Sequence, residues 1–309
     1  MLPVTLARCL LVLGLVGIGL PVGAGTAVAH GGGLGPEAHV PRILAVDPPV
    51  PGLTVTVIES GARLRLDNQT GQTVDVLSPD GAARGAEPVV APRATARWHD
   101  HRVAAAAADP VPPEASRAWA VPLRVGDQLV TVRGEQVWPP PPSSLSWWLA
   151  TVAVAMGVAL LGTRAATRPR WAPVLAGLTL LVVSAHLVHL VGSALIIEDR
   201  ALLPIVLGAA GPAALAWLLA LVGAGLTLAR RAYGPLLCTL AGGLLALVSA
   251  FNANNFGSPV LPFAGPPDLD RAAVALTVGG GVGLFLVGFT VLSALTTAET
   301  DPRSSEPIP

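Results

Sequence analysis

The chain has 309 residues, of which 52% are hydrophobic and 12% charged, and its formal net charge is zero. So apolar a composition is typical of a membrane protein, and the lack of a basic run argues against a nucleic-acid partner. The two cysteines, Cys9 and Cys238, lie in separate apolar segments, so the sequence predicts neither a disulfide nor a thiolate metal site.

Residues 1–29 have the pattern of a secretory signal peptide. Arg8 precedes an apolar run, and Ala27-Val28-Ala29 matches the small-residue cleavage site. Cleavage there makes His30 the first residue of the mature protein. A free α-amino group and the imidazole of the same residue can chelate one metal ion, so His30 is a candidate ligand. The alternative is that His30 simply follows the cleavage site and has no role.

Residues 30–138 alternate apolar and polar side chains in several short runs, which predicts an exported small antiparallel β-sandwich. Asn68-Gln69-Thr70-Gly71 is predicted to be a hairpin turn, and Gly126-Asp127 a second tight turn. Residues 139–144 form a proline-rich linker. The predicted strands are 53–58, 62–67, 72–77, 94–102, 118–125 and 128–137.

The densest chemistry of this domain is the motif Trp98-His99-Asp100-His101-Arg102. On a strand, His99 and His101 project on one face, where two imidazoles can bind a single metal ion, and Asp100 can assist them. Together with His30, and with His39 as a further candidate, the motif predicts a metal site. The alternative is an exposed edge strand with an Asp100–Arg102 ion pair.

This layout resembles the bacterial CopC and CopD copper-handling proteins, some of which are fused in one chain. In that family a small exported β-sandwich binds Cu(II) through its amino-terminal histidine and through Asp and His side chains, and a membrane domain accompanies it. The resemblance implies His30 as the first ligand, with Asp100 and His101 as the other two.

Residues 145–297 are predicted to form a five-helix transmembrane bundle, because each apolar segment approaches the roughly 20 residues that cross a bilayer. Arginines cluster after the first and third segments, which places these loops in the cytoplasm and the β domain outside. The tail, residues 298–309, is then cytoplasmic and disordered. Pro212 is predicted to kink the third helix, and Gly279 and Gly283 to allow close helix contact. The predicted spans are 145–163, 173–197, 202–229, 235–251 and 272–295.

The second span contains His186 and His189, which share one face of a helix. Ionisable groups inside a membrane usually face the bundle interior and mark a functional site. A metal there needs additional ligands, and the alternative is that both rings stay neutral and hydrogen-bond to other helices. The polar residues of the outer loop between the fourth and fifth predicted spans that could contribute are Asn252, Asn254, Asn255, Asp268 and Asp270.

We therefore predict an α+β, multi-pass protein of the bacterial plasma membrane, with its N-terminal domain outside and its C-terminus in the cytoplasm. It is expected to bind Cu(II), or Zn(II) as second choice, for uptake, transfer or sensing. The alternative is a structural protein that contacts an unknown envelope protein and binds no metal. No nucleophile or acid–base constellation suggests an enzyme. The candidate metal ligands are His30, His99, Asp100, His101, His186 and His189.

Overall fold

The computed structural model describes residues 34–78, 88–103, 112, 114–198 and 200–299, which form a β domain followed by a helical domain. The proposed signal peptide, its cleavage site, His30 and most of the predicted tail lie outside the described residues.

The β domain consists of two antiparallel sheets. The first has five strands in the order β1-β8-β7-β4-β5, and the second has three in the order β2-β3-β6. The predicted turn at Gly126-Asp127 is confirmed, since β7 and β8 pair without interruption from Ser116 and Val137 to Val125 and Gln128. The strands are β1 Val40–Asp47, β2 Leu53–Ile58, β3 Arg63–Asn68, β4 Val74–Val76, β5 Val89–Val90, β6 Thr95–Trp98, β7 Ser116–Val125 and β8 Gln128–Val137.

The alternating sequence pattern explains why both sheets contribute to one hydrophobic core. In β7, every second residue is buried, namely Trp119, Val121, Leu123 and Val125. A strand's side chains alternate between its two faces, so this pattern directs one face inward. Buried residues of the three-stranded sheet, such as Leu66, belong to the same cluster as those of β7.

The predicted hairpin at residues 68–71 is wrong, because β3 and β4 belong to different sheets. The buried Asn68 side chain holds the crossing: its Nδ2 donates to the carbonyls of Gln72, Val90 and Ala91, and its Oδ1 accepts from Thr70. An asparagine that satisfies the backbone of a turn does not by itself specify which sheet receives the next strand.

The helical domain has four helices long and apolar enough to cross a membrane, and five spans if a bent pair counts as one. The bent pair is α3 and α4, which meet at 88°. The break lies at Gly211, whose φ is +45°, and at Pro212, where a kink was predicted. The helices are α1 Ser144–Thr167, α2 Ala172–Ala194, α3 Leu202–Ala210, α4 Ala213–Leu228, α5 Gly234–Ser249 and α6 Pro267–Glu299, with a 3₁₀ helix at Ala250–Phe256 after α5.

Glycines bring α6 close to its neighbours, as their spacing predicted. A Cβ added at Gly283 would lie 2.7 Å from the carbonyl oxygen of Ala155 in α1, and one at Gly281 would meet the backbone of Gly242 in α5. Small residues allow such close backbone approach between membrane helices. The helix α6 therefore packs tightly against both α1 and α5.

Candidate functional site

A cavity of about 390 Å³ opens in the β domain where β1 begins, beside the turn after β2 and the residue that follows β6. Two imidazoles and two carboxylates line it, which is a donor set suited to a cation. The lining residues include Leu34, Glu37, His39, Glu59, Arg63 and His99.

His99 is oriented by a backbone contact. Its Nδ1 lies 2.9 Å from the carbonyl oxygen of Ala62. A carbonyl only accepts hydrogen bonds, so Nδ1 carries the proton, and the neutral ring keeps its lone pair on Nε2. Many metal-binding histidines in proteins are fixed by such a bond from the other ring nitrogen. The cavity therefore contains an imidazole whose tautomer suits coordination through Nε2.

The turn directly before Ala62 also lines the cavity and has unusual backbone angles. Glu59 and Ser60 have φ values of +53° and +57°, and Gly61 follows with +104°. Residues other than glycine rarely occupy this region, and such strain concentrates at functional sites. A side chain at Gly61 would collide with the ring of Pro41. Glu59 is buried and pairs with Arg63, whose Nε is 3.4 Å from its carboxylate.

His39 completes the described imidazoles of the cavity. Its ring is half-buried, and its centroid lies 5.4 Å from that of Trp138. Leu34, five residues earlier in the chain, also lines the cavity.

Asp100 stabilises the corner that presents His99. Its Oδ1 accepts from the backbone N and the Nε of Arg102, at 3.0 and 2.8 Å. Its Oδ2 accepts from the Trp98 indole and from the other side of the Arg102 guanidinium, at 3.0 and 2.6 Å. These four bonds occupy the acceptor sites of a carboxylate, so Asp100 is a positioning residue rather than a metal ligand in this arrangement.

The predicted strand over residues 94–102 is shorter than expected, because β6 ends at Trp98. The bonds of Asp100 to Arg102 turn the chain there, and the Val103 amide closes the turn on the Asp100 carbonyl at 3.0 Å. His99 and His101 are both exposed, yet only His99 is among the described residues that line the cavity. Within the described ranges, no group of three or more His, Cys, Asp or Glu residues stands ready to hold a metal ion.

The walls of the cavity are attached to the helical domain. Glu37 and Val260 exchange backbone hydrogen bonds of 2.9 and 3.2 Å, and the Ser60 hydroxyl donates to the carbonyl of Leu261. Val260 and Leu261 belong to the loop between the 3₁₀ helix and α6. The cavity and this loop are therefore mechanically connected.

A second contact between the domains is ionic. The Arg65 guanidinium bonds both carboxylate oxygens of Glu198, at 3.0 and 2.8 Å, and Arg97 lies 3.5 Å from the same group. The hydrogen bond to Glu198, with its charge, raises the pKa of Arg65 above its ordinary value. Glu198 follows the end of α2, so this contact joins the three-stranded sheet to that helix.

The predicted membrane histidine His189 is buried and bonded to a carboxylate. Its Nδ1 lies 2.6 Å from Oδ1 of Asp270, and the Asn255 amide donates to the other oxygen of Asp270 at 2.7 Å. Asp270 lies in the first turn of α6, and Asn255 in the 3₁₀ helix. The arrangement fixes the ring, as a carboxylate does for a metal-bound histidine, and also ties three helical segments together.

His186 is positioned differently. The indole nitrogen of Trp217 in α4 lies 3.3 Å from its Nδ1. An indole only donates, so Nδ1 is the acceptor and the neutral ring carries its proton on Nε2. This tautomer argues against coordination through Nε2. Each membrane histidine thus has a partner on another helix, which is an indole for His186 and a carboxylate for His189.

Sequence reasoning missed two parts of these sites. For the positive-φ turn at Glu59, the only indication in the sequence was Gly61, which comes shortly after a predicted strand. Arg271 was not singled out, although it is 4% exposed and bonds the carbonyls of Asn255 and Ser258 and the carboxylate of Asp268. Its signal was the charged run Asp268-Leu269-Asp270-Arg271 at the start of an apolar segment.

Comparison of the chain with protein-family models, with curated proteins and with solved structures found no match.

Proposed function

We propose that this protein binds one Cu(II) ion in the cavity of its exported domain, for uptake, transfer or sensing at the bacterial plasma membrane. The observation that carries the proposal is the geometry of His99, whose Nδ1 is bonded to the Ala62 carbonyl so that Nε2 suits a metal. Zn(II) is the second choice, because imidazole and carboxylate ligands bind either ion.

The described cavity residues alone do not form a complete coordination site, so the proposal needs the mature amino terminus. His30 is separated from the cavity residue Leu34 by a short run of glycines. Its α-amino group and ring, together with His99 and with His39 nearby, would supply nitrogen ligands suited to Cu(II). In this proposal Asp100 orients His99, and His101 is not a ligand. The resemblance in layout to CopC and CopD favours copper over zinc, and of the three ligands that it implies this proposal retains only His30.

The proposal includes a particular membrane topology. Two sheets with a shared core support a β-sandwich, and the bent pair α3–α4, taken as one span, gives a five-helix bundle. Arg164 lies in the last turn of the first span and Arg170 follows it, and Arg230 and Arg231 follow the third. The positive-inside rule then puts the β domain outside and the C-terminus in the cytoplasm. Within the bundle, His189 is the histidine better suited to accept or sense an ion.

The second candidate is an envelope-interaction protein that binds no metal. The lack of a ready group of three metal ligands among the described residues favours it. In that case the cavity would contact a protein or wall component, and the membrane histidines would only stabilise the bundle.

A Cu(II) titration of the processed, full-length protein in lipid nanodiscs tests the proposal. Bound Cu(II) is expected to quench the fluorescence of Trp138 beside His39, with a dissociation constant below micromolar. His99→Gln is expected to weaken binding about a hundredfold, since it removes an oriented ligand. One extra residue before His30 should also weaken binding, because it moves the α-amino group away from the ring.

His101→Gln is the matched control, because His101 is equally exposed and adjacent to the same corner but does not line the cavity. It should bind Cu(II) as the wild type does. Failure of the wild type to bind Cu(II) would leave the envelope-interaction protein as the better explanation, and equal affinities of the two variants would refute the role of His99.

A further inference from the structure

The segment after α5 buries side-chain oxygens that have no hydrogen-bond partner among the described residues. They are Oγ of Ser249 and Oδ1 of Asn252 and of Asn255. The three residues are 1%, 5% and 1% exposed, whereas Asn254 between them is exposed. They are spaced by three in and beside a 3₁₀ helix, whose three residues per turn place them on one side. Buried polar atoms normally have partners, so this group requires a partner that the described residues do not supply.

The chemistry of these oxygen atoms defines which kind of ligand they could bind. The Asn255 oxygen can only accept, so its partner must offer a proton or a positive charge, and the Asn252 oxygen has the same requirement in the amide orientation observed. Asn255 cannot exchange its oxygen and nitrogen, because its Nδ2 donates to the Asp270 carboxylate at 2.7 Å and a reversed amide would set two acceptors against each other. The hydrogen bond from Nδ2 to Asp270 therefore also fixes the direction of the Asn255 Oδ1 atom.

Asp270 adds a negative charge to this site. Its carboxylate is 1% exposed, and its contacts include His189 and Asn255. The neighbouring guanidinium of Arg271 is directed to Asp268 and to the carbonyls of Asn255 and Ser258. A neutral His189 and the Asn255 amide donate hydrogen bonds to this carboxylate without cancelling its charge, and a bound cation beside the amide oxygens would supply the compensating positive charge.

We propose that Asp270, Asn255, Asn252 and Ser249 form a binding site for a small hard monovalent cation such as Na⁺. Ligands that are all oxygens favour hard cations over copper or zinc. A single carboxylate with neutral amide and hydroxyl oxygens matches one positive charge. The site uses other residues than the copper cavity and does not depend on the function proposed for it.

Thermal unfolding of the full-length protein in nanodiscs tests this proposal, with NaCl, KCl and choline chloride compared at equal ionic strength. A ligand that binds only the folded state raises its midpoint. The midpoint should be several degrees higher in NaCl than in choline chloride and should rise further with the logarithm of the Na⁺ concentration. Asn252→Ala should lose this difference, because it removes an oxygen without touching Asp270. Binding of radioactive ²²Na⁺ should be lost in parallel.

Asn254→Ala is the matched control, since its exposed side chain lies in the same 3₁₀ helix, and it should keep the full Na⁺ response. If Asn252→Ala does not fold, Ser249→Ala gives the same test with a smaller change. Equal midpoints of the wild type in NaCl and choline chloride would overturn the proposal, because water would then occupy the site. A response to Mg²⁺ or Ca²⁺ alone, or a response that survives both alanine substitutions, would overturn it as well.

Discussion

At the scale of single residues, the corner at Asp100 shows how one buried charge positions a functional side chain. Burial raises the pKa of the Asp100 carboxyl, but the hydrogen bonds from Arg102 and Trp98 and the charge of Arg102 outweigh it. The pKa therefore lies below its ordinary value of 3.8, and the folded state favours the ionised form. His99 follows Trp98 directly, so the same bonds determine where its imidazole lies.

Asp100→Asn is expected to destabilise the corner by about 3 kcal/mol, because it removes the buried negative charge that accepts two hydrogen bonds from the Arg102 guanidinium. Hydrogen exchange of the peptide covering residues 98–103 in the full-length protein measures this loss. Asp75→Asn is the control: Asp75 and Arg124 form a pair that is about a third to a half exposed, and its loss should cost less than about 1 kcal/mol. An equal effect of the two substitutions would contradict the role given to Asp100.

The Asp100–Arg102 pair makes the free energy of unfolding depend on pH in a defined direction. A carboxyl whose pKa is lower in the folded state contributes stability above its ordinary pKa and loses it as the pH falls through the folded value. The difference in unfolding midpoint between the wild type and Asp100→Asn should therefore be full at neutral pH and shrink below about pH 4. A difference that grew on acidification would contradict the ionised state assigned to Asp100.

At the scale of secondary-structure elements, local patterns predicted most strands and helices but not their arrangement. Alternation predicted β2, β7 and β8, whereas β1 was missed because its burial follows no regular alternation. The turn at Asn68 was recognised from its residue types, yet these bond equally well in a hairpin and in a crossing between sheets. The imidazole of His99 was predicted as a ligand, but its contact with Ala62 joins residues 37 positions apart, which no local pattern encodes.

Glycine positions in α6 offer a test of element packing. Gly283→Ala would place a methyl group against the Ala155 carbonyl and Val158 of α1, and such overpacking typically costs about 1–3 kcal/mol. Gly157→Ala is the control, because a Cβ at Gly157 in α1 meets nothing within 4 Å, and alanine favours a helix. Unfolding midpoints in nanodiscs should fall for Gly283→Ala and hold or rise for Gly157→Ala. The reverse order would contradict this packing.

At the scale of the whole molecule, two kinds of contact hold the β domain against the helices. One is the Glu198 carboxylate, which two arginines of the β domain contact, and the other is a set of backbone hydrogen bonds. Arg65 and Arg97 are directly opposed on β3 and β6, where like charges repel unless an anion lies between them. Glu198 supplies that anion from the end of α2. Ser60 and Glu37 attach the cavity to the loop before α6, and that loop leads to Asp270. The cavity proposed to bind a metal ion and the buried His189 thus lie at two ends of one connected structure.

Glu198→Gln is expected to loosen the domain contact, because it leaves the two arginines facing each other. Spin labels on cysteines substituted for the exposed Leu129 and Leu145 report the distance between the domains, which should become more broadly distributed. The partly exposed pair limits the cost to about 1 kcal/mol. Asp47→Asn, which removes an exposed pair within the β domain, should leave the distribution unchanged. An unchanged distribution in Glu198→Gln would show that the backbone contacts suffice.

The electron paramagnetic resonance spectrum of one Cu(II) ion bound to the processed, full-length protein shows whether histidine imidazoles, including that of His99, coordinate the ion. Hyperfine lines from imidazole nitrogens are expected, together with spin-echo modulation from the remote ring nitrogen of His99. Labelling histidine with ¹⁵N should change the hyperfine lines and remove the modulation, because ¹⁵N has no quadrupole moment. His99→Gln should remove one imidazole from the spectrum, and His101→Gln should not alter it. A spectrum without nitrogen hyperfine lines, or one identical in the wild type and His99→Gln, would contradict the account.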